Sequence, residues 1–245
     1  MHNLDSLTTR DIALLLGNPD PATCSPPSAP HLSVAEFRQA GVLVPFVRHD
    51  SRWHLLFIRR AEARHDHHSG QVAFAGGKQE KSDTDIRHTA LREAHEELGI
   101  RPEHVSLLGQ LGSQISYSGF LITPVVGYLD WPYQLTPEVR EVSRAFTIPL
   151  NWLADPGNHE MRPRQLPNLN QTIQVAYFQE YDGELLWGAT ARMVLQLVTI
   201  LRGHAPLSRQ IRTSPEIKNQ AKPRTPAPVS VPGYPTNGRG NPDPA

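Results

Sequence analysis

Residues 71–100 read QVAFAGGKQEKSDTDIRHTALREAHEELGI, and the fold follows from this stretch. Gln71–Phe74 is a short apolar run of strand character that ends at Gly76-Gly77, and a polar loop, Lys78–Ser82, separates it from a segment of helical periodicity. Within Asp83–Leu98, the residues Ile86, Ala90, Leu91, Ala94 and Leu98 make an apolar stripe, which predicts an amphipathic helix stopped by Gly99. At about 100° per residue, Glu93, Glu96 and Glu97 project from one arc of roughly 100°. Like charges three and four residues apart oppose a helix by about 0.2–0.5 kcal/mol each. Acidic groups in a final turn also face the negative end of the dipole. An acidic solvated face is one reading of this conflict; a bound cation is the other. Carboxylates with no Cys and no His at ligand spacing select a hard ion, Mg²⁺ or Mn²⁺, over zinc. Gly76 and Gly77 let backbone approach a ligand, but without Gly-Lys-Ser/Thr this is no phosphate-binding P-loop.

Outward from this segment, Val42–Val47 and Trp53–Ile58 are apolar, β-branched runs joined by His49-Asp50-Ser51, which predicts a hairpin. Val105–Leu111, Phe120–Leu129, Phe146–Leu150 and Thr172–Tyr181 read as further extended segments, with Asp182-Gly183 as a turn. Leu186–Leu201 is a long apolar helix closed by Gly203. Near the start, Thr9–Leu16 with Gly17 reads as a short helix, and Ser33-Val34-Ala35-Glu36 as a capping box opening a second helix that ends at Gly41. Strands on both sides of one central helix, with another helix at the end, predict an α/β fold: a mixed sheet sandwiched between helices.

The 245 residues carry 24 basic and 24 acidic side chains, so no global field is available to hold nucleic acid or an anionic membrane. Any anionic ligand must be met locally. The one cysteine, Cys24, forms no internal disulfide, which fits a reducing, cytoplasmic setting. Ile12–Leu16 is too short for a secretory core, and Met193–Leu201 is far below the roughly 20 residues of a membrane span. Prolines concentrate in Pro19–Pro30 and beyond His204, marking a linker and a tail. The expected organisation is an N-terminal helical segment and Pro-rich linker at 1–35, a folded domain at 36–204, and a disordered Pro-rich tail at 205–245. Monomer and homodimer both remain open.

Gly77, Asp83 and Arg92-Glu93-Ala94-His95-Glu96-Glu97-Leu98-Gly99-Ile100 resemble the Nudix box, G-x5-E-x7-R-E-U-x-E-E-x-G-U. Asp83 stands where that family usually has Glu, and eight residues rather than seven separate it from Arg92. Leu55-Leu56, Gly70-Gln71-Val72-Ala73-Phe74, Thr89–Glu93, Thr123-Pro124-Val125-Val126-Gly127 and Trp187–Ala191 further resemble the coenzyme A pyrophosphatase branch. That branch has an Arg four residues before the glycine of Gly-Gln-Val and Phe-Pro-Gly-Gly after it; here those positions hold Asp66 and Ala75, with Arg64 two residues off register.

The resemblance implies a Nudix-like α/β/α sandwich and hydrolysis of a small-molecule diphosphate such as coenzyme A. Metal ions at such a site polarise phosphoryl oxygens and lower the pKa of water. Glu93 and Glu97 are the first-choice ligands, with Glu96 a third ligand or the base, Arg92 an orienting and catalytic residue, and a carbonyl at Gly76 or Gly77 completing the shell. Glu138 and Glu141 are alternative bases, and Arg64, His68, Gly76 and Lys78 are candidate substrate contacts. His65–His68 is a loop cluster that suits substrate more than metal, Trp187 reads as a core anchor, and Ser116–Gly119 as a turn. The competing readings are a pyrophosphatase for ADP-ribose, dinucleotides, nucleotide sugars or nucleoside triphosphates, and a non-catalytic nucleotide-sensing module. Intact Glu93, Glu96 and Glu97 argue against the sensor.

Overall fold

A computed structural model describes residues 3–17, 37–62, 69–116, 119–166 and 171–203. The expected capping box at Ser33–Glu36, the loop holding Arg64 and His68, Cys24 and the tail beyond 203 lie outside those residues. β1 (Arg38–His49) and β2 (Arg52–Arg60) form the predicted hairpin. Asp50 and Ser51 sit at φ 49° and 63°, the positive values that a tight two-residue turn requires. The helix expected to end at Gly41 is not seen over 38–41. Those residues are the first part of β1, where Gly41 pairs with Thr123 and Gly77, and sheet hydrogen bonds override the local helix signal.

β3 (Val72–Ala73) pairs with β2, and β4 (Gly76–Lys78) pairs antiparallel with β1, so the glycine pair and Lys78 belong to a strand rather than a loop. β5 (Val105–Gln110), β6 (Gln114–Ile115), β7 (Phe120–Leu129) and β8 (Val142–Pro149) complete an eight-stranded sheet. It is mixed, because β1 runs parallel to β7 but antiparallel to β2 and β4. The sequence reading missed β9 (His159–Leu166), which with β10 (Gln171–Phe178) makes a separate two-stranded ribbon.

Period-two alternation places two cores on the two faces of the sheet. Leu43, Val47, Leu56, Ile58, Val125 and Leu129 point toward Ala90, Ala94 and Leu98 of α2 (Ile86–Leu98). Val44, Phe46, Leu55, Phe57, Val126 and Ile148 point the other way. On that side they meet α1 (Thr9–Leu16), α3 (Leu150–Ala154) and α4 (Gly188–Leu201). The result is the expected α/β/α sandwich. α4 starts at Gly188, two residues later than its apolar pattern, with Trp187 as N-cap. Among the described residues no helix is long and apolar enough to cross a membrane.

The N-terminal segment is part of this core. Thr8 and Asp11 make a reciprocal capping box that starts α1, and Leu4, Ile12 and Leu16 are buried against the sheet. The Trp53 indole N–H donates to Leu7 O at 2.8 Å and the Trp53 amide to Asp5 Oδ1 at 2.7 Å. Ile12→Ala is therefore expected to lower unfolding free energy by about 2–4 kcal/mol, read by urea denaturation. A change under about 0.5 kcal/mol would mean that the segment does not dock.

Candidate active site

Asp85, not Asp83, starts the helix: its Oδ1 accepts from the Arg87 and His88 amides, both at 2.9 Å. Asp83 lies before the helix with its side chain fully buried. One carboxylate oxygen accepts from Arg92 Nε at 3.0 Å. The other accepts from the Glu80 amide at 2.9 Å, Thr89 Oγ1 at 2.9 Å and Arg92 Nη2 at 3.1 Å. Arg92 and these other donors hold the Asp83 carboxyl well below the usual carboxylate range, against its burial. Asp83, hydrogen bonded above all, raises the Arg92 pKa in turn. Asp83 thus anchors the arginine.

From that anchor Arg92 spreads over the cluster. Nη1 donates to Glu96 Oε2 at 2.8 Å, and Nη2 reaches Glu93 Oε1 at 2.9 Å and the Lys78 carbonyl at 3.1 Å. Lys78 contributes that carbonyl while its residue faces solvent. The three glutamates share an arc but not an environment. Side-chain exposure rises from 15% at Glu93 to 54% at Glu96, whereas the whole Glu97 residue is 2% exposed. Those values set their roles: Glu97 floors the site, Glu93 lines it and Glu96 stands at the solvent rim.

Glu97 Oε2 accepts from the Gly76 amide at 3.0 Å. Burial pushes the Glu97 carboxyl up to about 7, opposed by that amide and by the charge of Arg60, and reinforced by Glu93 and Glu141. Burial also raises Glu93, against the pull of Arg92. Gly76 and Gly77 are required for close approach. A Cβ on Gly76 would lie 2.5 Å from Gly41 O, and one on Gly77 2.5 Å from the Glu93 carboxylate.

With Arg92 committed to Asp83, Glu93 and Glu96, the buried Glu97 carboxyl resists ionisation, and its ionised form would call for a further positive charge. An all-oxygen donor set with that need fits a hard divalent cation. Among the described residues no three His, Cys, Asp or Glu side chains already stand together as a finished cage.

The structure thus brings together Arg92, Glu93, Glu96, Glu97, Gly76, Gly77 and the Lys78 carbonyl, while Arg64 and His68 lie outside the described residues. Of the two loop glutamates, Glu138 turns its carboxylate onto the Arg140 amide at 3.2 Å, whereas the charge of Glu141 bears on Glu93 and Glu97. Sequence reasoning missed Arg60; its available signal was the Arg59-Arg60 pair closing an apolar strand. Its neighbour Arg59 serves the opposite face, directly across from Arg144, with the buried Glu184 carboxylate 3.9 Å from the first and 3.0 Å from the second. Trp187, expected as a core anchor, is only half-buried and belongs to neither core; it stacks on Tyr177 with ring centres 5.5 Å apart.

Residues 37–169 match the model of the NUDIX domain. The chain is 40% identical to the uncharacterized Nudix hydrolase NudL of Pectobacterium atrosepticum, over 67% of this chain and 83% of that protein. It is 32% identical to the peroxisomal coenzyme A diphosphatase NUDT7 of Mus musculus, over 72% of this chain and 74% of that protein. Among solved structures it is similar to a MutT/nudix family protein from Enterococcus faecalis, at TM-score 0.44 and 13% identity over 68% of this chain and 62% of that one.

Two outcomes follow from the site's packing. Because burial raises the Glu97 carboxyl from 4.5 to about 7, the folded state keeps this proton longer than the unfolded chain, and stability is lost as pH rises across that window. In chelator, Glu97→Gln should therefore melt several degrees above the parent at pH 8, a gain on the order of 1–3 kcal/mol, and level with it at pH 4. Equal melting at both pH values would contradict the raised carboxyl. Gly77→Ala should retain the parent's melting temperature within about 3 °C, since only the mobile end of Glu93 must shift, yet lose at least about 10²-fold in diphosphate turnover.

Proposed function

The chain belongs to the NUDIX domain family and is a diphosphate hydrolase, and from that premise we propose that it cleaves the diphosphate of coenzyme A or a derivative, releasing 3′,5′-ADP and 4′-phosphopantetheine. The observation that supports the hydrolytic part is the Asp83–Arg92 clamp, which holds Glu93 and Glu96, with Glu97 held beside them by the Gly76 amide. The likeness to the mouse peroxisomal coenzyme A diphosphatase over most of both chains supports this substrate. Hydrolysis of ADP-ribose, dinucleotides, nucleotide sugars or nucleoside triphosphates is the alternative.

Nudix hydrolases use divalent metal ions, and here Mg²⁺ or Mn²⁺ would be held by Glu93, Glu97, Glu96 and a backbone carbonyl near Gly77. When bound, the ion neutralises phosphoryl charge and makes water a better nucleophile. The protein's share of the work is positional. Glu97, fixed from below by the Gly76 amide, keeps its carboxylate from rotating toward solvent. Arg92 is locked on Asp83 through two nitrogens, so its third partner, Glu93, is oriented by a group that cannot swing away. Glu96, solvent-facing and paired with Arg92 Nη1, would serve either as the third ligand or as the base that takes a proton from an attacking water.

The test is a product assay on coenzyme A, ADP-ribose, NADH and dNTPs with and without Mg²⁺, for the parent, Glu93→Gln and Glu97→Gln. Coenzyme A should be cleaved at the highest kcat/KM, only with metal, and each variant should lose at least about 10³-fold with its fold intact. Preference for another substrate would remove the coenzyme A reading and leave the hydrolase. Metal-dependent turnover surviving in both variants would remove the assigned site.

A further inference from the structure

A cavity of about 230 Å³ opens between the start of β3 and residues 183–187, lined by Arg59, Val72, Glu184, Leu185 and Trp187. None of these belongs to the carboxylate cluster on α2. Trp187 occupies the N-cap position of α4, where Ser, Thr, Asp or Asn would accept from the first helical amides, and its side chain makes no capping hydrogen bond. It is half-buried, yet its place is fixed: the indole stacks on Tyr177 at 5.5 Å and 7°, and the exposed Arg164 guanidinium lies over it at 5.6 Å. Leu185 beside it is 45% exposed. The polar wall is held as firmly. Arg144 donates to Glu184 Oε1 at 3.0 Å and also pairs with Asp182, which keeps the buried Glu184 carboxylate in position. Arg59 lies directly across from Arg144 in the sheet, 3.9 Å from the same oxygen. Glu184 is thus satisfied by Arg144, while the partly exposed Arg59 guanidinium makes no hydrogen bond among the described residues.

We propose that this cavity receives the nucleotide end of the substrate, with Trp187 against the base and Arg59 on a phosphate carried by the ribose, apart from the diphosphate that is cleaved. The inference rests on the hydrolase reading above and narrows it to nucleotides with such an additional phosphate. Three observations support it. The cavity is smaller than the roughly 300–1,000 Å³ that takes a whole drug-sized ligand, so it suits one part of a longer molecule. Val72 in its wall and Gly76, whose amide holds Glu97, are four residues apart, so roughly 14 Å of extended chain at most separates the cavity wall from the carboxylate site. A base and ribose attached to a bound diphosphate cover such a span. Finally, strand alternation turns Arg59 to the face opposite Arg60, whose charge bears on Glu97. A guanidinium with unspent donors on that side suits an anion other than the scissile diphosphate, and in a chain with no net charge an anion must be met by such local groups.

The experiment titrates the full chain with adenosine 3′,5′-bisphosphate and with AMP, by calorimetry and by indole fluorescence, and compares kcat/KM for coenzyme A and 3′-dephospho-coenzyme A with Mg²⁺. The parent should bind the bisphosphate at least about 10-fold more tightly than AMP, with quenching of tryptophan emission, and should prefer coenzyme A to its dephospho form. Arg59→Met should weaken the bisphosphate about 10-fold and leave AMP within about 2-fold, so that both preferences collapse together. Trp187→Leu should weaken both nucleotides about 5–10-fold and remove the quench. A general loss of packing would lower AMP and bisphosphate binding alike in Arg59→Met, so the ratio separates recognition from structure. Parent-like binding of the bisphosphate in Arg59→Met, an equal loss for both nucleotides in that variant, or quenching that survives Trp187→Leu would overturn the proposal and leave the hydrolase reading intact. Because Arg59 is partly exposed and Glu184 keeps Arg144, Arg59→Met folds and decides the matter even if Trp187→Leu does not. Bisphosphate binding that depends on both residues, in a parent that cleaves no diphosphate, would support the nucleotide site and remove the hydrolase reading alone.

Discussion

Three carboxylates at positions 93, 96 and 97 of one helix repel each other, and the buried Arg92–Asp83 pair is what makes that arrangement tenable. The arginine cannot drift, because Asp83 accepts two of its nitrogens and is itself satisfied by the Glu80 amide and Thr89. Removing Arg92 would leave the buried Asp83 charge without its cation, at a cost of about 3–5 kcal/mol. The geometry of the site therefore depends on a fully buried residue that precedes the helix. Arg92 compensates Glu93 and Glu96 but leaves Glu97 to the Gly76 amide and the field of Arg60, so charge compensation is uneven.

Close packing of backbone supplies the second constraint. A Cβ at Gly41 would lie 2.6 Å from Ile86 O, so α2 rests directly on β1; at Gly76 one would strike β1, and at Gly77 the Glu93 carboxylate. Three glycines from two strands thus bring the helix, its carboxylates and the β4 amides into one plane of contact. The same close approach recurs at the other end of α2, where Gly99 admits Thr136. At all four positions the missing side chain defines the site as much as the charged residues do.

The opposite face of the sheet supports the site without entering it. Phe57 stacks between Phe74 and Phe146, which fixes the strand that ends in Arg59 and Arg60. Those two arginines then diverge by strand alternation: Arg60 carries charge toward Glu97, while Arg59 pairs with buried Glu184. The same two-residue period that builds the two cores therefore also assigns the two charges.

Much of this was legible in the residues alone. The apolar stripe of α2, its glycine stop, the β1–β2 hairpin turn and the arc of Glu93, Glu96 and Glu97 are local facts, set by periodicities of 3.6 and 2 that any neighbouring structure must respect. Other features were not local. Arg38–Gly41 joined a strand against its helix signal because β4 and β7 offered hydrogen bonds on both sides. β9 gave too weak an alternation to be seen until β10 paired with it. Which glutamate would be buried, which exposed, and that Asp83 would serve Arg92 instead of a ligand depended on β4 and residues 130–141 closing over the helix. Sequence spacing fixes the direction in which a side chain leaves its helix; desolvation and partner geometry, which decide its charge and role, exist only once distant segments have packed around it.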